Sequence, residues 1–220
     1  MIEVPLARWT KKSSTVQKSD AYTLITDKHD LSDEHFSQRA NLLPLADNMI
    51  KKSAEELQKS FAICAMLDED RLIGAIWLRE QLYTTQTWEE KRIYQRGSLI
   101  VEKSYRGKNI PEKLIPEIND LYPHLPIYGI ACIEKVAHIN QANHQIVRKA
   151  EDIERTYPYF DTYIEKVRGE KPLESRRDNG YKYLSKKYEW HRVILNQALM
   201  DILTAEKEYI THQSKSKQDL

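Results

Sequence analysis

The residues with the clearest chemical potential lie in one short segment, where an apolar strand pattern gives way to a polar turn and then to a helix pattern. The turn contains Arg106, Gly107, Lys108 and Asn109, and Pro111 follows in the first helical turn. The first N–H groups of a helix lack intrahelical acceptors and carry partial positive charge, so they attract phosphate. Gly and Asn tolerate the backbone that close approach needs, and the cations add charge. The segment fits a pyrophosphate site, with a plain surface turn as the alternative.

A second segment with chemical potential spans residues 166–192. Basic residues outnumber acidic ones there, and aromatic residues are interleaved with them, namely Tyr181, Tyr183, Tyr188 and Trp190. Cations mixed with aromatic rings bind single-stranded nucleic acid or an acidic partner. The same composition is also typical of a solvated face whose aromatic rings pack on the domain. We favour the solvated face, so nucleic acid is not the expected partner.

Other catalytic signatures are weak or absent in the sequence. His29 and His35 are six residues apart at a predicted helix start, so they would not share a metal-binding face. His138 and His144 lie on a later predicted helix, where a surface or packing role is the alternative to proton relay. The sequence contains no Gly-x-Ser-x-Gly motif, P-loop or Cys/His nucleophile pattern. No metal site is expected.

The elements before the turn are predicted from apolar patterns. Tyr22–Thr26 alternates like a strand, and Ser32 can cap the helix that follows. Pro44 separates this helix from a second one over residues 45–59. Residues 61–78 contain two apolar runs around an acidic turn, which predicts a buried hairpin.

The strand that leads into the turn is predicted over Ile93–Val101, after a polar loop over residues 83–90. The later predicted elements are a helix over Ile110–Tyr122 with Pro116 inside it, a strand over Pro126–Cys132, a helix over Glu134–Ala150, a strand over Tyr157–Ile164, and a long helix from Tyr181 whose apolar stripe includes Ile194 and Leu195. The helix at 110–122 should kink at its internal proline or begin late. Strands joined by a helical crossover run parallel. The order therefore predicts an α+β fold with a mixed sheet and helices on both faces.

Composition limits the classes of protein that fit. The chain has 220 residues, a net charge of +1 and 30% charged residues, which suits a globular domain and selects no acidic or basic partner. No apolar run approaches the roughly 20 residues that span a bilayer, and the N-terminus does not read as a secretory signal. Cys64 and Cys132 lie in apolar stretches and are expected to be reduced core thiols. We expect a cytoplasmic protein.

The segment Arg106–Pro111 resembles motif A of the GNAT superfamily of N-acetyltransferases, in which Arg/Gln-x-x-Gly-x-Gly/Ala opens a helix after a strand. The order of elements from Tyr22 to Lys149 is also similar to that family, and Val136–Asn140 resembles its Val-x-x-x-Asn pattern. The resemblance implies a GNAT-like fold with a C-terminal helical extension. We expect this domain over residues 21–165 and, because residues 1–20 are polar and show no periodicity, a flexible arm before it. The basic segment and the C-terminal helix follow over 166–220.

The resemblance also implies an activity, namely direct transfer of an acetyl group from acetyl-CoA to a primary amine. The coenzyme would lie against the backbone of Leu99, Ile100 and Val101, whose N–H groups would polarise the thioester carbonyl, and against Arg106, Gly107, Lys108, Asn109, Ile110 and Asn140. Glu102 is the candidate general base, with a solvated loop carboxylate as the alternative. Tyr94 and Tyr128 are candidates for protonating the leaving thiolate. A homodimer contact through the C-terminal helix is a further expectation.

Three positions depart from the family pattern. Asn109 stands at the first motif glycine, although asparagine can adopt a left-handed backbone. Pro111 stands at the second small residue and has no N–H to donate. Val147 stands where the family often carries a tyrosine that acts as general acid. An inactive GNAT-like binding or regulatory module is therefore the alternative function.

Overall fold

The sheet that organises the molecule is mixed, as its sequence pattern predicts. The computed structural model describes residues 17–19, 22–42, 53–131, 133–160 and 192–216. The strands are β1 (Gln17–Ser19), β2 (Tyr22–Ile25), β3 (Ala62–Asp68), β4 (Arg71–Thr84), β5 (Glu90–Val101), β6 (Ile127–Ala131), β7 (Ile146–Lys149) and β8 (Arg192–Leu195). In the described residues they form one eight-stranded sheet in the order β1-β2-β3-β4-β5-β6-β8-β7. Within that sheet β5 and β6 pair in parallel and the other neighbours are antiparallel.

The α-helices cover both faces of this sheet. They are α1 (Asp33–Leu42), α2 (Ala54–Gln58), α3 (Ile110–Leu121), α4 (Glu134–Ala142), α5 (Ala150–Thr156) and α6 (Gln197–Ser216). Successive residues of β3 point to opposite faces, because side chains alternate along a strand. Ile63 and Ala65 pack in the cluster that contains Phe36 of α1, whereas Cys64 and Met66 pack in the cluster of α3. The predicted mixed sheet with helices on both faces is confirmed.

The crossover helix α3 packs closely on the sheet. Leu114 and Ile118 are fully buried, and a Cβ atom built on Gly74 of β4 would lie 2.6 Å from Cγ2 of Ile110. Glycine at position 74 therefore lets the first turn of α3 approach the strand. Pro116 lies inside α3, and the helix begins at Ile110, so the late start that was the alternative to a kink does not occur.

Local signals also place α1 correctly. The helix begins at Asp33, and the Ser32 Oγ atom accepts a hydrogen bond from the N–H of His35, as a helix cap does. The His35 imidazole lies 3.0 Å through Nε2 from the carbonyl oxygen of Asp70 in the β3–β4 turn. This contact ties the helix to the hairpin.

Several predicted boundaries are wrong. Residues 17–19 of the predicted arm pair with β2, and β4 continues through Tyr83 and Thr84 into the predicted loop. The helix predicted over 134–150 ends at Ala142, because His144 adopts a left-handed backbone and β7 follows. Ile146 and Val147 are β-branched, and they pair with β8 instead of continuing a helix.

The C-terminal part contains the largest difference from the prediction. Ile194 and Leu195 belong to strand β8, which lies between β6 and β7, and the helix begins only at Gln197. Burial of these side chains between two neighbouring strands overrides their helical spacing. Residues 158–160 are helical, which contradicts a strand beginning at Tyr157.

Other predictions fall outside the described residues. These are the first part of the second helix, Cys132, and the basic aromatic segment up to His191. Cys64 is fully buried, and burial raises the pKa of its thiol, which fits a reduced core residue.

The C-terminal helix packs on the sheet through Leu199 and Leu203 of α6. A subunit contact through this helix stays a prediction. In the part of the chain that the structure describes, no helix combines the length and apolarity needed to cross a bilayer.

Candidate active site

The candidate site begins where β5 and β6 part. The two strands pair from Tyr94 with Ile127 to Arg96 with Gly129. In the described residues no further pairs join them, although β5 continues for five residues to Val101. A gap between two central parallel strands leaves backbone groups without ladder partners, so a ligand chain can lie there.

A β-bulge lies on β5 beside this gap. Trp77 of β4 pairs with Gly97, but Ala75 pairs with Ile100, so β5 has one residue more than β4 over this stretch. A bulge disrupts the ladder locally and turns backbone groups away from it. Leu99, Ile100 and Val101, predicted to contact the thioester, lie in or just beyond this irregular stretch. Ile100 faces α1 and α2, whereas Leu99 and Val101 pack on the α3 side.

The predicted phosphate loop opens α3 as expected. Gly107 has a φ of +86° and Asn109 a φ of +55°, so both adopt the left-handed backbone that Gly and Asn tolerate. No side chain caps the helix at Asn109, and Pro111 lies within the first turn. The space beside Gly107 is open, since a Cβ atom built there meets no atom within 4 Å. The start of α3 is therefore accessible to an anion.

The cations of the loop lie on its exposed surface. Arg106 is exposed, and the Nζ atom of Lys108 lies 4.4 Å from the ring centroid of Tyr105. The Tyr105 hydroxyl donates to Asp68, and this hydrogen bond raises its pKa. The aromatic ring thus holds Lys108 beside the loop.

Glu102, the candidate base, lies at the end of β5. Its Oε1 atom is 2.5 Å from Nη2 of Arg71 and accepts a hydrogen bond of 2.7 Å from Ser104. Its side chain is 13% exposed. Arg71 and Ser104 therefore both contact Oε1 of this candidate base.

The two candidate tyrosines lie on opposite faces of the sheet. Tyr128 packs on the α6 side, and its hydroxyl donates to Oε1 of Gln81 at 2.5 Å. Tyr94 packs on the α3 side, with its hydroxyl 3.4 Å from Oε2 of Glu80. Burial and the nearby carboxylate of Glu80 raise the pKa of Tyr94. Only Tyr94 therefore lies on the same face of the sheet as α3.

A small cavity of about 40 Å³ lies at the parting of the strands. It is lined by Ile76, Arg96, Gly97, Leu99, Ile115, Gly129, Ile130, Val136, Asn140 and Ile194. Asn140 donates through Nδ2 to the carbonyl of Val136, and its buried Oδ1 atom has no hydrogen-bond partner. Asn140 and Leu99, two of the predicted coenzyme contacts, thus line the same cavity. His138 is exposed beside Glu134. Within the described residues, no three His, Cys, Asp or Glu side chains cluster as a metal site would require.

Arg96 is the residue of this cavity that sequence reasoning missed. It is only 5% exposed, and burial lowers the pKa of its guanidinium to about 10. The sequence offers no clear signal for it, because Arg96 stands among the polar or small residues Gln95, Gly97 and Ser98, and arginine is almost never fully buried unless it is paired.

The described residues form a mixed sheet flanked by helices, with the crossover helix α3 between the parallel strands β5 and β6. No protein-family model and no curated protein sequence matches this chain. Among solved structures, it is similar to an acetyltransferase of the GNAT family from Streptococcus pneumoniae, at 9% identity over 57% of this chain and 86% of that chain, with a TM-score of 0.43.

Two further neighbours were solved with coenzyme bound. NAA60 from Arabidopsis thaliana, in complex with acetyl-CoA, is 15% identical over 58% of this chain and 85% of its own, with a TM-score of 0.43. The ribosomal alpha-N-protein acetyltransferase RimL, in complex with coenzyme A, is 10% identical over 60% of this chain and 84% of its own, with a TM-score of 0.43.

Proposed function

We propose that the protein is an N-acetyltransferase that transfers the acetyl group of acetyl-CoA to a primary amine. The observation that carries this proposal is the position of the parted strands β5 and β6 beside the uncapped start of α3. A ligand with a diphosphate at one end and an extended amide chain at the other matches these two features. Coenzyme A has both parts.

The coenzyme is proposed to bind along β5. Its diphosphate would meet the backbone of Gly107, Asn109 and Ile110 and the side chains of Arg106 and Lys108. Its extended arm would follow Leu99–Val101 towards Asn140, because β5 has no ladder partner on that side in the described residues. The thioester would then lie near the bulge.

The chemistry is direct attack by the neutral amine on the thioester carbon. A lysine-like amine has an unperturbed pKa near 10, so it must lose a proton before it can attack. Glu102 is the proposed base, directly or through water, and Tyr94 or Tyr128 the proposed donor to the thiolate. The hydrogen bonds that now engage all three side chains would have to be exchanged during the reaction.

Ligand-dependent stability tests the proposal. Acetyl-CoA at a hundred times its Kd is expected to stabilise the protein by about 2.7 kcal/mol, since only the folded state binds it. The measurement is the thermal unfolding midpoint with and without ligand, followed by free-thiol release against a panel of small amines, peptides and lysine-bearing proteins. Absence of any stabilisation would contradict the proposal.

A binding or regulatory module with this fold is the second candidate. Val147 in place of the usual tyrosine favours it, as does the engagement of Tyr94 and Tyr128 by other residues. Stabilisation by acetyl-CoA together with no thiol release against the whole panel would support the module over the enzyme.

A further inference from the structure

The cavity between β5 and β6 contains a buried cation without an acidic partner. Nη1 of Arg96 donates to Oδ1 of Asn119 at 2.6 Å, while Nη2 is buried and has no hydrogen-bond partner. In the described part of the chain, no carboxylate forms an ion pair with this guanidinium. A buried charge without a counterion costs free energy. A negatively charged group of a ligand beside Nη2 would offset that cost.

The surroundings fix where this cation can act. The guanidinium lies against Gly129, since a Cβ atom built there would be 3.5 Å from both Nε and Nη2 of Arg96. The cavity is otherwise lined by apolar side chains and by Asn140, whose unpartnered Oδ1 atom is an acceptor. In this apolar setting a negative charge beside Nη2 would be stabilised strongly.

The position of Arg96 matches the end of the proposed coenzyme path. Arg96 belongs to the last β5–β6 pair, where the gap begins, and it lies on the face of α3. The hydroxyls of Tyr94 and Tyr128 are directed to Glu80 and Gln81. Among the described residues that line the cavity, Arg96 is the one cation.

We propose that Nη2 of Arg96 donates a hydrogen bond to the coenzyme sulfur and stabilises the thiolate that leaves during transfer. This inference rests on the proposed transferase function. Arg96 would then stabilise the leaving thiolate through its positive charge, whereas the family's tyrosine does so by donating a proton.

In this proposal Arg96 takes the place of a tyrosine donor at the sulfur, and the reaction balances without proton transfer there. The amine nitrogen forms a bond to the acetyl carbon, the carbon–sulfur bond breaks, and its electron pair remains on sulfur as a thiolate. The substrate ammonium first loses one proton to the proposed base, which gives the neutral amine that attacks. The nitrogen loses a second proton as the amide forms, and both protons pass through the base to water. Arg96 remains protonated throughout, and the thiolate takes up a proton after release.

The alternative is a water molecule that bridges Nη2 of Arg96 and Oδ1 of Asn140. The cavity has room for one, because a water has a share of liquid volume of about 30 Å³. In that case Arg96 would be a packing residue with no influence on the coenzyme thiol.

Titration of the thiol of bound coenzyme A distinguishes a hydrogen bond from Arg96 to the sulfur from a water that bridges Arg96 and Asn140. Coenzyme A is bound to the full-length protein, and thiolate formation is followed by ultraviolet absorbance against pH, with desulfo-coenzyme A as the blank for protein groups. The midpoint is expected to lie roughly one pH unit or more below the free thiol's value of about 8.5, because an adjacent cation favours the thiolate. Arg96→Met should return it to that value or above, and Arg96→Lys should restore part of the shift.

The fold of both variants is checked by thermal unfolding, because Arg96→Met removes a costly buried charge but also leaves Oδ1 of Asn119 without this donor. Coenzyme affinity is measured first by calorimetry. No binding to the wild type overturns the transferase proposal and this inference with it. Binding with a thiol midpoint that does not differ between wild type and Arg96→Met overturns this inference alone.

Discussion

Replacing Arg106 by glutamate is expected to weaken acetyl-CoA binding by about 10- to 100-fold. The variant removes a charge-assisted hydrogen bond to the diphosphate, worth about 1.5–3 kcal/mol, and places a negative charge beside it. Arg106 is exposed, so the change should leave the fold intact. The measurement is calorimetric Kd at physiological salt, where distant charges are screened.

Arg155→Glu is the matched control for this prediction. Arg155 is also an exposed arginine, on α5, where it is 3.0 Å from Asp152. Both variants change the net charge equally, so a general electrostatic effect would weaken binding equally in the two. Equal Kd values for the two variants would contradict a diphosphate site at Arg106.

Removing the Glu206 side chain should have the largest effect on stability. Glu206 of α6 is buried, and its carboxylate accepts hydrogen bonds from the Tyr83 hydroxyl at 2.5 Å and from the N–H of Gln86 at 2.6 Å. Glu206→Ala removes two hydrogen bonds to a charged acceptor, each worth about 1.5–3 kcal/mol, so we expect a loss of about 3 kcal/mol in the free energy of unfolding. Denaturant unfolding measures it.

Two further variants show whether that loss comes from the hydrogen bonds. Glu206→Gln keeps an acceptor oxygen, and it should lose less than Glu206→Ala. Glu208→Ala removes an exposed carboxylate on the same helix and should change stability little. If Glu206→Ala and Glu208→Ala unfold at the same denaturant concentration, α6 is not anchored to the β4–β5 hairpin through Glu206.

The sequence indicates the local features of this molecule well. Gly107 and Asn109 can adopt a left-handed backbone, which predicts the loop at the start of α3. Both residues have positive φ in the structure. The apolar runs on either side of an acidic turn predict the β3–β4 hairpin, which forms with the turn at residues 69 and 70. In each case the decisive interaction lies within a few residues of chain.

Features that depend on distant partners were not predictable in the same way. Ile194 and Leu195 have helical spacing with later apolar residues, yet they form a strand because β6 and β7 flank them. The bulge opposite Ile76 depends on the register between β4 and β5. The importance of Arg96 appears only when Gly129 and Asn140 are placed beside it by other elements.

A crystal structure of the complex with acetyl-CoA tests the central claim most directly. We expect the diphosphate against the N–H groups of Gly107, Asn109 and Ile110, and the thioester between β5 and β6 within hydrogen-bond distance of Arg96. A coenzyme bound elsewhere, with its diphosphate away from the first turn of α3, would contradict the account.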